Sequence, residues 1–178
     1  MREIYLPLIN RDIDTLRAGD RVLLTGSILT ARDAAHKRLF TRIQNNDPLP
    51  FETKGEVIYY VGPAPAKPGR AVGPAGPTSS YRMDPYTPAL LDRGLKGMIG
   101  KGMRSRTVIE SIQKNHAVYF VAIGGAAALL SRCIIASTPV CYDDLGTEAV
   151  CRFEIVKFPV IVAVDCLGNN LYDSIKEL

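Results

Sequence analysis

RVLLTGSILTARDAAHKRLFTRI, residues Arg21 to Ile43, decides the reading of the fold. Arg21 to Leu29 is rich in β-branched and aliphatic residues and reads as a strand, while Ala35, Leu39, Phe40 and Ile43 recur as the apolar stripe of a helix. A strand therefore feeds a helix directly. Thr30 is a good N-cap and Asp33 follows three residues later, a variant of the capping box that satisfies orphan amide donors. Arg32 in the first turn then opposes the helix dipole at a cost of about 0.3–1 kcal/mol and calls for an anionic partner. A carboxylate or phosphate ligand would serve. The competing reading is an arginine paired with an acid elsewhere in the fold, or solvated.

Outward from this unit, Ile4 to Leu8 and Glu56 to Val61 read as strands, and the four prolines of Gly62 to Gly76 mark a loop. Asp84 can cap a helix with Pro85 at its first position and Gly94 beyond its end, and Ser105 can cap a second, Arg106 to Lys114, with a short strand at Met98-Ile99 between them. Ala117 to Ile123 is a continuous apolar run of strand length, suited to a sheet covered on both faces, and Ala126 to Ile135 reads as a helix. Val150 to Val156 and Pro159 to Val164 read as two further strands before a turn at Gly168-Asn169 and a short helix or tail. The pattern predicts the α/β class with a mixed sheet, in one domain over residues 1–178.

With 178 residues and 47% hydrophobic content, the chain is long enough to bury its own core. Its net charge of +4, from 22 basic and 18 acidic residues, is scattered without a dense basic block or an aromatic-basic patch, so no nucleic-acid partner is expected. Cys133, Cys141, Cys151 and Cys166 lie at wide spacings with no Cys-x-x-Cys, which suits mostly buried, reduced thiols. The Met1 to Pro7 segment lacks the apolar core of a signal peptide, and no apolar run reaches the roughly 18–20 residues of a membrane span. A cytoplasmic location and no membrane partner are the expectations.

Two glycine-containing segments imitate nucleotide loops and fail. In Gly94 to Gly102, Leu95 stands where a phosphate loop needs its first glycine and Gly102 where it needs a hydroxyl residue; Gly124-Gly125 lacks dinucleotide-site spacing. Lys101 still reads as a cation at a strand end, where open α/β sheets place ligand groups. Gly76-Pro77-Thr78-Ser79-Ser80-Tyr81-Arg82-Met83-Asp84-Pro85-Tyr86 combines a rigid turn, three successive hydroxyls and an arginine, a second anion site in which Arg82 could pair bidentately with a carboxylate. Ordinary turn and cap chemistry is the alternative. Two such sites suit a ligand with two anionic ends, a dicarboxylate.

TGSILTARDAAHKR (Thr25 to Arg38), GPTSSYRMDPY (Gly76 to Tyr86), Gly100-Lys101-Gly102 and Gly124-Gly125 resemble, in the same order, the C-terminal region of class I fumarate hydratases. At this length the chain is similar to the separate β subunit of the two-subunit form. The related L-tartrate dehydratase β subunit tends toward Thr-Cys-Arg-Asp in the first motif, so Ala31 favours fumarase. The resemblance implies a swivelling β/β/α domain, substrate binding by Arg32, Thr78, Arg82 and Lys101, and Thr78 as the catalytic base. It departs from the family's usual two threonines and a glycine at Ser79, Ser80 and Tyr81. It further implies a partner α subunit carrying a four-iron iron–sulfur cluster, reversible hydration of fumarate to L-malate, and inactivity of this chain alone. A tartrate or other hydroxydicarboxylate dehydratase, and a non-catalytic dicarboxylate-binding module, are the alternatives.

Overall fold

Seven strands and six helices follow one another along the chain in the computed structural model, which describes residues 1–122 and 126–175. They are β1 (Arg2–Tyr5), α1 (Asn10–Ile13), β2 (Arg21–Thr30), α2 (Asp33–Gln44), β3 (Val57–Tyr59), α3 (Thr87–Asp92), β4 (Gly97–Gly100), α4 (Arg106–Asn115), β5 (Val118–Val121), α5 (Ala127–Arg132), β6 (Ile134–Cys141), β7 (Val150–Val164) and α6 (Leu171–Ile175). Short 3₁₀ turns cover Ser80–Met83 and Asp143–Glu148.

β2, β3, β4 and β5 run parallel, and β7 pairs antiparallel with both β5 and β2. That second pairing closes a five-stranded, barrel-like sheet, with β1 added beside β2 and β6 beside β7. The α/β class and mixed sheet are as the sequence predicts. Alternation along the strands divides the core in two. Val57, Tyr59, Val118, Phe120, Phe153 and Phe158 pack on one face, with Ile13 and Leu16 from the α1 region. Ile58, Tyr60, Met98 and Tyr119 face the other way, beneath Leu39 of α2, Leu91 of α3 and Ile112 of α4.

The differences from the sequence reading have local causes. Val150 to Val164 is one strand, because the apparent break is a bulge: Lys157 takes φ 51° and its amide donates to Thr25 Oγ1, opposite the register shift at Leu24/Gly26. Pro159 is tolerated beside that bulge. α5 stops at Arg132 because Ile134 onward pairs with β7, so the stretch read as helix through Ile135 is partly strand. Pro139 sits on this edge strand, where a missing amide costs least. β1 ends at Tyr5, short of Leu8. Among the described residues no helix is long and apolar enough to cross a membrane.

Candidate functional site

The four candidate residues all lie at the carboxyl ends of the parallel strands. The Ala31 amide bonds the Tyr59 carbonyl, that of Tyr60 bonds Ile99, and that of Thr78 bonds Tyr60 at 2.7 Å, so the segments leaving β2, β3 and β4 are fastened side by side. The edge of an α/β sheet where connections diverge is a natural ligand crevice.

Thr30 is not the cap of α2. It is the last residue of β2, and its hydroxyl accepts from the Cys151 amide at 3.0 Å and reaches the Ala149 carbonyl. The N-cap is Arg32, in extended conformation, whose carbonyl accepts the His36 amide at 2.9 Å and the His36 Nδ1–H at 2.8 Å. Burial holds the His36 imidazole down at about 4, so it is neutral and donates through Nδ1. At the helix N-terminus Glu148 reaches the Ala34 amide at 3.5 Å, supplying the acid that the dipole favours.

The Arg32 side chain lies over Gly62, where an added Cβ would stand 2.6 Å from Nη1 and 3.1 Å from Cδ. Its Nε is 3.9 Å from Glu148 and 4.0 Å from Asp33, beyond hydrogen-bond reach. That Nε is buried without a partner among the described residues. The expected anionic compensation is therefore incomplete among the described residues. Asp33 bridges instead to Arg82, whose Nε donates to Oδ1 at 2.9 Å and whose Nη2 lies 2.8 Å from Oδ2, out of line for a hydrogen bond. Asp33 is thus hydrogen-bonded to Arg82 and stands at the outer limit of ion-pair distance, 4.0 Å, from Arg32 Nε.

Asp84 does not cap its own helix either. α3 begins at Thr87, and Asp84 instead accepts from Arg104 Nε at 2.6 Å and from the Ser105 amide at 2.7 Å. Arg104 is buried against the Tyr60 and Tyr119 rings and also donates to Thr87 Oγ1 and Tyr60 Oη. Its charge is fully partnered, which separates it from Arg32. Ser105 caps α4 through the Val108 amide, as predicted.

Lys101 follows β4 with its side chain exposed, and its backbone exchanges bonds with Ser80: its amide donates to Ser80 Oγ at 3.1 Å and its carbonyl accepts the Ser80 amide at 2.9 Å. The Tyr119 hydroxyl lies 2.8 Å from both Ser80 Oγ and the Gly102 carbonyl. Gly100 makes room for this, since a side chain there would run into Ser80 Oγ. Ser80 thus holds the lysine loop against the hydroxyl loop. Thr78 is half-buried, and its side chain makes no hydrogen bond to Arg32, Arg82 or Lys101. Exposed Tyr81 and Met103 stand one and two residues from Arg82 and Lys101.

The structure therefore brings Arg32 and Arg82 together through Asp33, and Thr78 and Lys101 to the same sheet edge on adjoining loops. A groove of about 510 Å³ beside α2, lined by residues including Lys37, Arg38 and Tyr142, contains none of the four. Asp33 as a bridge, Glu148, Gly62 and His36 escape sequence reasoning. The only signals are an acid beside a basic first turn and a glycine just after a strand. Gly124-Gly125 lies outside the described residues.

The cysteines are unpaired, but only Cys166 is buried; Cys133, Cys141 and Cys151 are half-exposed because β6 is an edge strand and β7 is covered unevenly. Burial still raises the Cys141 thiol to about 11. Among the described residues no cluster of metal-capable side chains contains more than one cysteine, so these residues do not fit a thiolate-held iron–sulfur cluster.

The model of the fumarase C-terminus matches residues 2–175. The aerobic class I fumarate hydratase of Escherichia coli K12 is 38% identical over 178 residues, covering 99% of this chain and 32% of its own length. Fumarate hydratase 2 of Leishmania major is 37% identical over 175 residues, covering 93% and 31%. The chain thus spans about a third of the length of these relatives. A Methanocaldococcus jannaschii protein with the provisional name L(+)-tartrate dehydratase subunit beta is 33% identical over 183 residues, covering 99% of this chain and 94% of its own length. On the extent of these matches, the chain belongs to the fumarase C-terminal family, whose named relatives here are hydro-lyases.

Proposed function

We propose that this chain is the substrate-clamping β subunit of a heteromeric fumarate hydratase, completed by an α subunit that carries the four-iron cluster. The observation that carries the reading is the Arg32–Asp33–Arg82 arrangement, with a buried Arg32 Nε left unpartnered at a sheet edge that also presents Thr78 and Lys101. The Methanocaldococcus relative supports the separate-subunit part, since a chain of similar extent bears a subunit name.

Removing a proton beside a carboxylate builds charge on that carboxylate as the carbanion-like state forms. Arg32 and Arg82 would hold the two carboxylates, and Lys101, with its side chain exposed, would add its ammonium as the charge grows. Thr78 would take the proton. A threonine hydroxyl is a weak base, so that role needs neighbouring cations and exclusion of water. The four groups lie outside the groove beside α2, and closure would come from the partner, which would also supply the electrophile for the leaving hydroxyl. These residues would work in a cytoplasmic enzyme acting on fumarate and malate.

Anaerobic fumarate hydration by the chain alone and with cluster-loaded α subunit tests this. Activity should need both subunits, and Arg82→Ala should lower kcat/KM by about 10²- to 10³-fold. No hydration by the complex would overturn the proposal. The tartrate relative motivates a second reading, and a steady preference for tartrate over malate in the same complex would decide for it.

A further inference from the structure

Three metal-capable side chains from distant parts of the chain meet at the opposite end of the sheet, beside the amino end of β5 and the carboxyl end of the antiparallel β7. Asp14 caps α1, His116 caps α4 just before β5, and Cys166 follows β7. His116 Nε2 lies 2.8 Å from Asp14 Oδ1, and the ligand atoms of all three are within 4.8 Å of one another. We propose that Asp14, His116 and Cys166 form a binding site for one borderline-soft divalent cation, with zinc the best match.

The donor set selects the metal. One thiolate, one imidazole and one carboxylate suit zinc, whereas calcium and magnesium require oxygen ligands. Bond lengths of about 2.0–2.3 Å place tetrahedral ligands roughly 3.3–3.6 Å apart. The His116–Asp14 pair must open by about 0.5 Å and the sulfur close by up to about 1.2 Å to reach that separation. The imidazole and carboxylate are partly exposed, giving the ion an entry path and leaving a fourth position for water. The Cys166 sulfur is buried beneath them and makes only a long contact, 3.8 Å, to the Ile13 carbonyl.

The neighbouring charges are already engaged. Arg17 Nη1 donates to the Asp14 and Leu16 carbonyls. Lys96 donates to the Asn115 and His116 carbonyls. Asp165 accepts from the Ala18, Leu167 and Asn169 amides and from Asn169 Nδ2. Zinc would displace the Cys166 thiol proton to solvent and form one sulfur–zinc bond without redox change. The bound ion would staple α1, α4 and the β7 exit together, away from the candidate catalytic edge.

The test uses the full chain stripped by chelation, then titrated with zinc against a chromophoric chelator and, separately, with cobalt(II) as a spectroscopic probe. One equivalent per chain should bind, cobalt should show a thiolate charge-transfer band, and Cys166→Ser and His116→Asn should each weaken binding at least ~10-fold. Circular dichroism checks that both variants keep the fold. Failure to take up one equivalent, absence of the thiolate band, or retention of full affinity in either variant would overturn the proposal and leave Asp14 and His116 as an ion pair only.

Discussion

At the scale of single residues, the site turns on what surrounds Arg32. Gly62 leaves space for its guanidinium, so Gly62→Ala should push that side chain aside, while the Thr147 carbonyl, 3.3 Å from the added Cβ, has to give by only a few tenths of an ångström. In the assembled enzyme we expect kcat/KM to fall about 10- to 100-fold while stability changes by less than about 1 kcal/mol. Equal losses in both, by kinetics and urea denaturation, would contradict this. His36 holds the Arg32 carbonyl and is buried neutral, at about 4 against an ordinary 6.5. Its folded value lies below its unfolded one, so its contribution is complete above pH 6.5 and lost as pH falls toward about 4, in total roughly 3 kcal/mol. Denaturant titrations at pH 7 and pH 5 should show about 2 kcal/mol of this loss, and His36→Asn, which keeps a donor and cannot titrate, should flatten it.

At the scale of elements, α3 and α4 are locked by the Asp84–Arg104 pair, with the arginine side chain wholly inaccessible and the carboxylate nearly so. Asp84→Ala would strand a buried guanidinium and uncap Ser105, so we expect a loss of about 3–5 kcal/mol, seen as a lowered urea midpoint. Arg104→Met in the same background should recover part of it, because removing both charges avoids the unpaired ion. The same pair shows where element reading stops short. Asp84-Pro85 has the local form of a helix start, but the carboxylate is taken by a partner twenty residues on and the helix waits until Thr87. Thr30 behaves alike: its hydroxyl serves Cys151 on β7, so the cap position passes to Arg32.

At the scale of the whole molecule, exposed Tyr81 and Met103 beside the candidate residues mark the face that the proposed α subunit would cover. Tyr81→Asp should weaken association with that subunit at least ~10-fold, measured by sedimentation, without altering the fold of the isolated chain. The strand–helix unit of Arg21 to Ile43 and the α/β class were legible in the sequence because hydrophobic periodicity acts over a few residues, and short motifs singled out Arg32, Thr78, Arg82 and Lys101, whereas the caps expected at Thr30 and Asp84 were not formed. The placement of those four candidate residues on one sheet edge is tertiary. Barrel closure depends on β7 pairing with both β2 and β5, and the Arg82–Asp33 bridge and the Asp14–His116–Cys166 cluster join residues 49 to 152 positions apart. Only tertiary structure decided those contacts: a carboxylate, a thiol or an imidazole has many acceptable local partners, and the closed sheet selects which distant one it meets.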